Sequence, residues 1–403
     1  MNGLAPGTTM PGTHIHALAR GGLGLLLLLC LAYAGAGMAS DMWDINHFRH
    51  TAWTSEAGAP GAAAEIVQTA DGYLWISSGE GLFRFDGMRF DAFKSIAGQS
   101  LPSTQVQSLY APPSGGLWIA YEGSGISFYK DGKLTNYDAK SGYQGGSTYT
   151  IVEDSNGNLL TDGYPGPMTF THGAWHTLTS NSGIPSSKRV HTLFVDRDGS
   201  VWAGSGGKLL RKARNQSKFE DMDVKLTGAL FTMVQLPDGS FVIGQNNGPV
   251  IQVKLINQTY VVDKATLPAK SAGMVIDKHG GLWIASLGDG VFHVNTMESG
   301  VPVVSPFAGQ VQHFTKNDGL SGDYVWGAFY DREGNIWFAT QNGIDRFRES
   351  NFYAQPLPDG IHDAAIAPGP HGSVWVGSSN YDVLHLTDKG YTKTAAPASI
   401  NMR

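Results

Sequence analysis

Cysteine is nearly absent from this chain: among 403 residues there is one, Cys30. It lies in an apolar N-terminal stretch that reads as a removable leader. The mature protein then carries no thiol, which excludes disulfides, thiol catalysis and zinc–thiolate sites. Charge is also scarce. Asp, Glu, Lys and Arg together make 15% of the residues, against about a quarter in an average domain. The net charge is -6, and no basic cluster is present to attract nucleic acid or an anionic membrane surface. After residue 40 no apolar run reaches the roughly 18 residues that a membrane-spanning helix needs. Helical patterning is missing as well. No window holds apolar residues at a period of about 3.6, and glycine interrupts throughout. Coiled coils and disorder both require more charge and fewer aromatics than this.

What is abundant is glycine, at 53 residues, and aromatic side chains, at 11%. That mixture suits many short strands joined by tight turns. The leader itself has Arg20, an apolar run over residues 23–33, and small residues at Ala34, Ala36, Gly37 and Ala39. This is the pattern of a secretory signal peptide, with cleavage expected after Ala36 or Ala39. The expected organisation is therefore a signal peptide over 1–39 and a β-propeller over 40–403, with a periplasmic or secreted location. Lipid attachment at Cys30 is not expected, because Leu29 precedes it where a small residue is needed.

The stretch DGYLWISSGEGLFRFDG at 71–87 recurs in altered form. Its relatives include GGLWIAYEGSGISFYKDG, RDGSVWAGSGGKLLRK, HGGLWIASLGDGVFHV and EGNIWFATQNGIDRFR. Eight copies place Trp75, Trp118, Leu160, Trp202, Val242, Trp283, Trp337 and Trp375 at one anchor position. The period is near 42 residues, apart from one longer gap where 295–309 looks inserted. Strand units at such a period point to propeller blades. Each unit reads as four strands, with Asp-Gly and Asn-Gly pairs suited to hairpin turns. The anchor tryptophans Trp75, Trp118, Trp202, Trp283, Trp337 and Trp375 are expected to fill the wedge between adjacent sheets. Leu160 and Val242 predict looser packing in repeats three and five. Residues 45–56 read as an outermost strand with no blade of its own. Such a strand would complete the last blade and hide its edge. Eight repeats allow an eight-bladed ring, or a seven-bladed ring with residues beyond about Asn351 starting something else.

The pattern Asp/Asn-Gly, then Leu-Trp-Ile/Val, then Gly-Leu/Ile/Val with an aromatic strand, resembles the two-component regulator propeller repeat. It is clearest in FRHTAWTSEAGAPGAAAEIVQTADGYLWISSGEGLFRFDGMRF and in TKNDGLSGDYVWGAFYDREGNIWFATQNGIDRF, residues 315–347. The resemblance implies the extracytoplasmic ligand sensor of a bacterial signalling receptor, in which tandem propellers precede a membrane helix and a kinase or cyclase. No such output region is legible here. The chain reads as the front part of a longer receptor or as a stand-alone sensor module. A downstream signalling domain or a homodimer partner is the protein partner this implies.

A blade's A–B and C–D turns share one face of the disc, and its B–C and D–A connections share the other. The second set is longer and more varied, so recognition is expected there. The candidates on it are Glu80, Tyr121, Glu122, Tyr143, Tyr164, Asp289, Tyr324, Gln341, Asn342 and Tyr381. Aromatic faces beside amides and carboxylates suit a small polar ligand or an oligosaccharide.

Enzymatic readings are weaker. A glycosidase needs two carboxylates across one bond, which Glu80, Glu122 and Asp289 would supply only if they converge. The repeats also resemble streptogramin-lyase-like propellers, and such a lyase would need a base histidine and a metal-binding acid on the loop face. His279 and His371 fall in turns of the opposite face, and His293 and His385 in strand C read as packing residues. DRDG at 196–199 lacks the downstream ligands of a calcium loop. No cofactor, metal or catalytic residue is expected. A protein-interaction platform is a third class, which a large exposed apolar patch would mark.

Overall fold

A computed structural model describes residues 44–394, apart from 94, 97, 145, 164–165, 185–188, 299, 351–356, 359–360, 380 and 388–389. The leader, Cys30 and Tyr164 lie outside the described residues. Among those described, no helix is long and apolar enough to cross a membrane.

Eight four-stranded antiparallel sheets follow one another along the chain. In the first, strand A is Ala63–Gln68, B is Leu74–Ser78, C is Gly81–Phe85 and D is Phe90–Ala92. The A strands of blades 2 to 7 are Val106–Tyr110, Ile151–Glu153, Val190–Val195, Leu230–Gln235, Ser271–Ile276 and Val325–Tyr330. These innermost strands touch in order from blade 1 through blade 7, and blade 7 touches blade 1 again. The ring therefore has seven blades. The eighth sheet, from Ala365–Pro368 to Gly390–Thr394, pairs only within itself. Its first strand is exposed throughout, with Ile366 at 73%.

Of the two ring sizes the sequence allows, the seven-bladed one forms because Phe48–Thr54 becomes strand D of blade 7. It pairs with Gly343–Glu349 in seven-residue register, Phe48 opposite Glu349 and Thr54 opposite Gly343. Phe48 meets Trp283 edge-on at 5.0 Å, and Trp53 stacks on Trp337 at 5.7 Å. His50 Nε2 lies 2.8 Å from the fully buried carboxylate of Asp345, which also accepts from Ser321 N–H.

Trp375, on the eighth sheet, is only half-buried, stacks on His385 of its own sheet at 4.0 Å and fills no wedge of the ring. The five anchor indoles of the ring, Trp75, Trp118, Trp202, Trp283 and Trp337, fill the wedges, and three of them also staple their own A–B turn. Trp202, Trp283 and Trp337 each donate Nε1–H to the aspartate six residues earlier, Asp196, Asp277 or Asp331. The other oxygen of Asp196 accepts from Asp198 and Ser200 N–H, and that of Asp277 from His279 and Gly281 N–H. One carboxylate thus organises the turn and satisfies a buried indole. Trp75 uses Thr69 Oγ1 instead, at 3.0 Å.

The expected looseness at Leu160 and Val242 is not found. Both are buried, at 3% and 0% exposure. The facing blades supply the missing volume: Leu160 packs with Leu193, Leu210 and Phe219 of blade 4, and Val242 with Met274, Leu282 and Ile284 of blade 6. The inserted segment is a hairpin of Met297–Glu298 and Val301–Pro302 between strands C and D of blade 6. Val301 and Val304 on the insertion are exposed, as are Leu255 and Ile256 on blade 5, whose Lys254 donates to Val304 O.

Close approach of A strands near the axis requires small residues. A Cβ on Gly327 would sit 2.4 Å from Ala64 O, and one on Gly273 would sit 2.7 Å from Ala328 N. Gly327→Val forces blades 7 and 1 apart and is expected to cost about 1–3 kcal/mol, read as a shift of the denaturant midpoint. An unchanged midpoint would mean that the junction yields freely.

Candidate functional site

The A strands share an irregularity that the sequence did not reveal. In blades 1, 2, 4, 5, 6 and 7 the A–B register slips by one residue at the start of strand A. The extra residues are Ala64, Gln107, His191, Phe231, Ala272 and Trp326. Each stands eleven positions before its anchor: 64 before 75, 107 before 118, 191 before 202, 231 before 242, 272 before 283 and 326 before 337. In blade 3 the same offset gives Tyr149. A bulge re-aims the unpaired residue. The residue just before each one, Ala63, Val106, Thr148, Val190, Leu230, Ser271 or Val325, is buried between the sheets. The bulged residue turns to the axis instead.

All seven of these residues line one cavity of about 760 Å³, to which every blade contributes. Gly79 and Asn246, from B–C connections, and Gln105 and Arg189, from D–A connections, also line it. It therefore opens on the face where the sequence placed recognition. Its walls differ. Blades 2 to 4 present Gln105, Gln107, Tyr149, Thr150, Arg189, His191 and Thr192, and Glu65 of blade 1 adds a carboxyl. Blades 5 to 7 present Phe231, Met233, Met274, Trp326 and Ala328.

Two carboxyl groups beside the cavity are strongly perturbed. Burial pushes Glu65 up to about 7, against the hydrogen bond it accepts from Leu109 N–H at 2.7 Å. That bond ties blade 1 to blade 2. Burial likewise pushes Asp162 up to about 7, although its Oδ1 accepts from Tyr149 N–H at 2.8 Å and Thr150 N–H at 2.9 Å. The charge of Arg189 favours the ionised form of Asp162, and that of Glu65 opposes it. Burial lowers the pKa of His191, helped by Arg189, so its imidazole is neutral at pH 7.

These shifts fix a pH dependence. Below about pH 4 both carboxyls are protonated in either state and contribute nothing. As pH climbs from there to about 7, the unfolded chain loses these protons while the folded protein keeps them, so stability falls. The thermal midpoint should drop between pH 5 and pH 7.5, and drop less in Asp162→Asn. An equal drop in both proteins would mean that Asp162 does not ionise as described.

The ten candidates from sequence divide into groups. Tyr121 and Tyr143 are core residues, at 0% and 1% exposure. Tyr121 ends strand B of blade 2 opposite Val106, and Tyr143 packs edge-on against Trp175 with its hydroxyl on Thr148. Burial raises the pKa of both. Strand B of blade 2 extends further than the turn signals suggest and takes in Tyr121, whereas Tyr143 does lie in the D–A connection but turns its ring into the core. Tyr381 lies on the eighth sheet beneath Lys393, 4.6 Å from its ring centroid, and Tyr164 is not described.

Five others gather where blades 6, 7 and 1 meet. Asp289 occupies a loop whose Gly288 and Gly290 N–H groups donate to Asp323 O. Tyr324 O accepts from Gln341 N–H, and Gln341 O from Ala62 N–H. Asn342 donates to Ser321 O at 3.2 Å, and Glu80 stands against Gly61. Glu122 is exposed, and its N–H donates to Gln105 O. None of these residues lines the cavity. The ring of Tyr324 lies 5.4 Å from that of the lining Trp326. The carboxylates that a glycosidase would require do not converge there either.

A family profile, the two component regulator propeller, matches residues 319–342, which cover the start of blade 7 up to its anchor strand. No curated protein matches significantly. Among solved structures, the extracellular domain of a proposed hybrid two component system from B. thetaiotaomicron aligns with a TM-score of 0.66 at 18% identity, over 86% of this chain and 49% of that one. A second such domain from the same organism gives 0.61 at 17%, over 88% and 47%. A catalytically inactive virginiamycin B lyase from Staphylococcus aureus, bound to quinupristin, gives 0.57 at 13%, over 75% and 99%. The chain thus spans about half the length of these extracellular-domain structures. Residues 319–342 of blade 7 thus match a two component regulator propeller repeat, within a ring whose other blades carry the same anchor position.

Proposed function

We propose that this protein is the extracytoplasmic ligand-sensing propeller of a two-component-type signalling receptor, and that a small polar ligand or sugar binds in the axial cavity without being transformed. One observation carries this reading. Seven residues, one from each blade at a fixed offset and six of them at bulges, converge on a cavity whose volume suits a small ligand. A ligand touching several blades at once would alter their mutual packing, and a neighbouring domain or protomer would register the change.

Trp326 offers the test. Its side chain is 41% exposed and contributes little to the core. Trp326→Ala is expected to keep the parent's thermal midpoint within about 2 °C while abolishing the stabilisation given by any ligand found in a thermal-shift screen. A ligand that stabilises parent and variant equally would place binding elsewhere.

The lyase likeness supports a second reading, an enzyme on the same scaffold. The histidines weighed from sequence are not the relevant ones. His279 lies near Glu349, at 3.5 Å, and His293 is buried against Trp283. His191 is the histidine in the cavity, where a neutral imidazole could serve as a base. Among the described residues no group of three His, Cys, Asp or Glu side chains is placed to hold a metal ion. Turnover that His191→Ala abolishes would favour this reading over sensing.

A further inference from the structure

If the axial cavity is the ligand site, as proposed above, its lining narrows the chemistry of the ligand. Arg189 is the cation among the described lining residues. Its guanidinium lies 4.8 Å from the centroid of the Tyr149 ring, and its Nε is shut off from solvent with no hydrogen-bond partner among the described residues. Gln107 Oε1 is buried and unpartnered in the same way.

The nearby acidic groups do not satisfy this cation. Asp162 Oδ1 is engaged by two backbone N–H groups, and Glu65 Oε2 is turned to Leu109 N–H. Both groups hold their protons up to about pH 7, and His191 contributes no charge of its own there. A buried donor left unpaired is costly, and the planar fork of arginine is best matched by a carboxylate. The opposite wall is of another kind. Phe231, Met274 and Trp326 offer aromatic faces and a polarizable thioether, which suit a flat apolar surface.

We infer that the cavity takes a small organic carboxylate with one apolar face, its carboxylate on Arg189 and its face against Phe231, Met274 and Trp326. Aromatic acids and sugar acids share this chemistry.

Titration calorimetry on the mature chain with matched probes tests it: benzoate against benzamide, and galacturonate against galactose. At least one acid should bind saturably, with its neutral partner tenfold or more weaker. Arg189→Gln should lose at least tenfold for that acid, and Arg189→Lys, which keeps the charge but not the fork, should lose less. The pair that binds separates the aromatic source from the sugar source. A neutral probe binding as tightly as its acid, or undiminished acid binding by a folded Arg189→Gln, would overturn the carboxylate assignment and leave the cavity as the sensing site. Failure of both acids to bind would also overturn it, and the sensing role would then rest on the Trp326→Ala comparison alone. If Arg189→Gln does not fold, the acid-to-neutral ratio in the parent and the Arg189→Lys titration still decide.

Discussion

Replacing Trp202 by alanine should destabilise the protein by about 3–5 kcal/mol. The indole is 1% exposed and lies between blades 4 and 5, against Phe241 at 4.6 Å and Tyr260 at 5.4 Å. Its removal opens a cavity between two sheets, whose backbones are held by their own hydrogen bonds and cannot collapse to fill it. A second cost follows from Asp196. Its Oδ2 receives Trp202 Nε1–H at 2.8 Å and would be left buried without that donor. Trp202→Phe separates the two contributions. It retains most of the ring but not the donor, so it should cost about 1–3 kcal/mol. Equilibrium unfolding in urea measures both. If the two variants were equal, the Asp196 staple would dominate over packing, and if neither mattered the wedge account of the anchor would fail.

Removal of residues 44–54 should have a larger effect still. Strand C of blade 7 would lose its partner along seven residues, from Phe48 to Thr54. Trp283 would lose the edge of Phe48, Trp337 its stacked neighbour Trp53, and Asp345 its contact with His50. A ring is held by mutual coverage, so opening one junction exposes sheet faces on both sides. Since the net stability of a domain is only about 5–15 kcal/mol, the shortened chain should show no cooperative thermal transition. A synthetic peptide of residues 44–54, added in excess, should restore one by binding the folded state. A shortened chain that melts near the parent temperature would show that ring closure does not depend on this strand.

How much of this was legible in the sequence follows from what each feature imposes on residue type. The anchor position must fill a wedge, so Trp75, Trp118, Trp202, Trp283 and Trp337 repeat visibly, as does the period. The orphan strand at the start was legible because FRHTAWT has strand character and no blade to join. The staple was half visible. The Asp-Gly turns stood out, but the aspartate that matters is the one six residues before the indole, Asp196 rather than Asp198. The cavity was not visible, because a bulge leaves no composition signature. Ala64, Gln107, Tyr149, His191, Phe231, Ala272 and Trp326 look like ordinary members of strand A. The usable signal was variability at a fixed offset, between a buried position and one of mostly small or hydroxyl-bearing residues. Loop variability pointed to the face on which the proposed cavity opens, but not to the residues that line it. Asp289, Tyr324, Gln341, Asn342 and Glu80 gather where blades 6, 7 and 1 meet, outside the cavity lining, while Tyr121 and Tyr143 are consumed by the core.

The central claim is that the ring recognises its ligand at the axis through its bulged residues. A crystal structure of the mature chain with a ligand from the thermal-shift screen tests this most directly. The account predicts density within the cavity, in contact with Trp326, Phe231 and the Arg189 guanidinium. Density on the opposite face of the disc, or on the eighth sheet with the axial cavity holding only water, would contradict it.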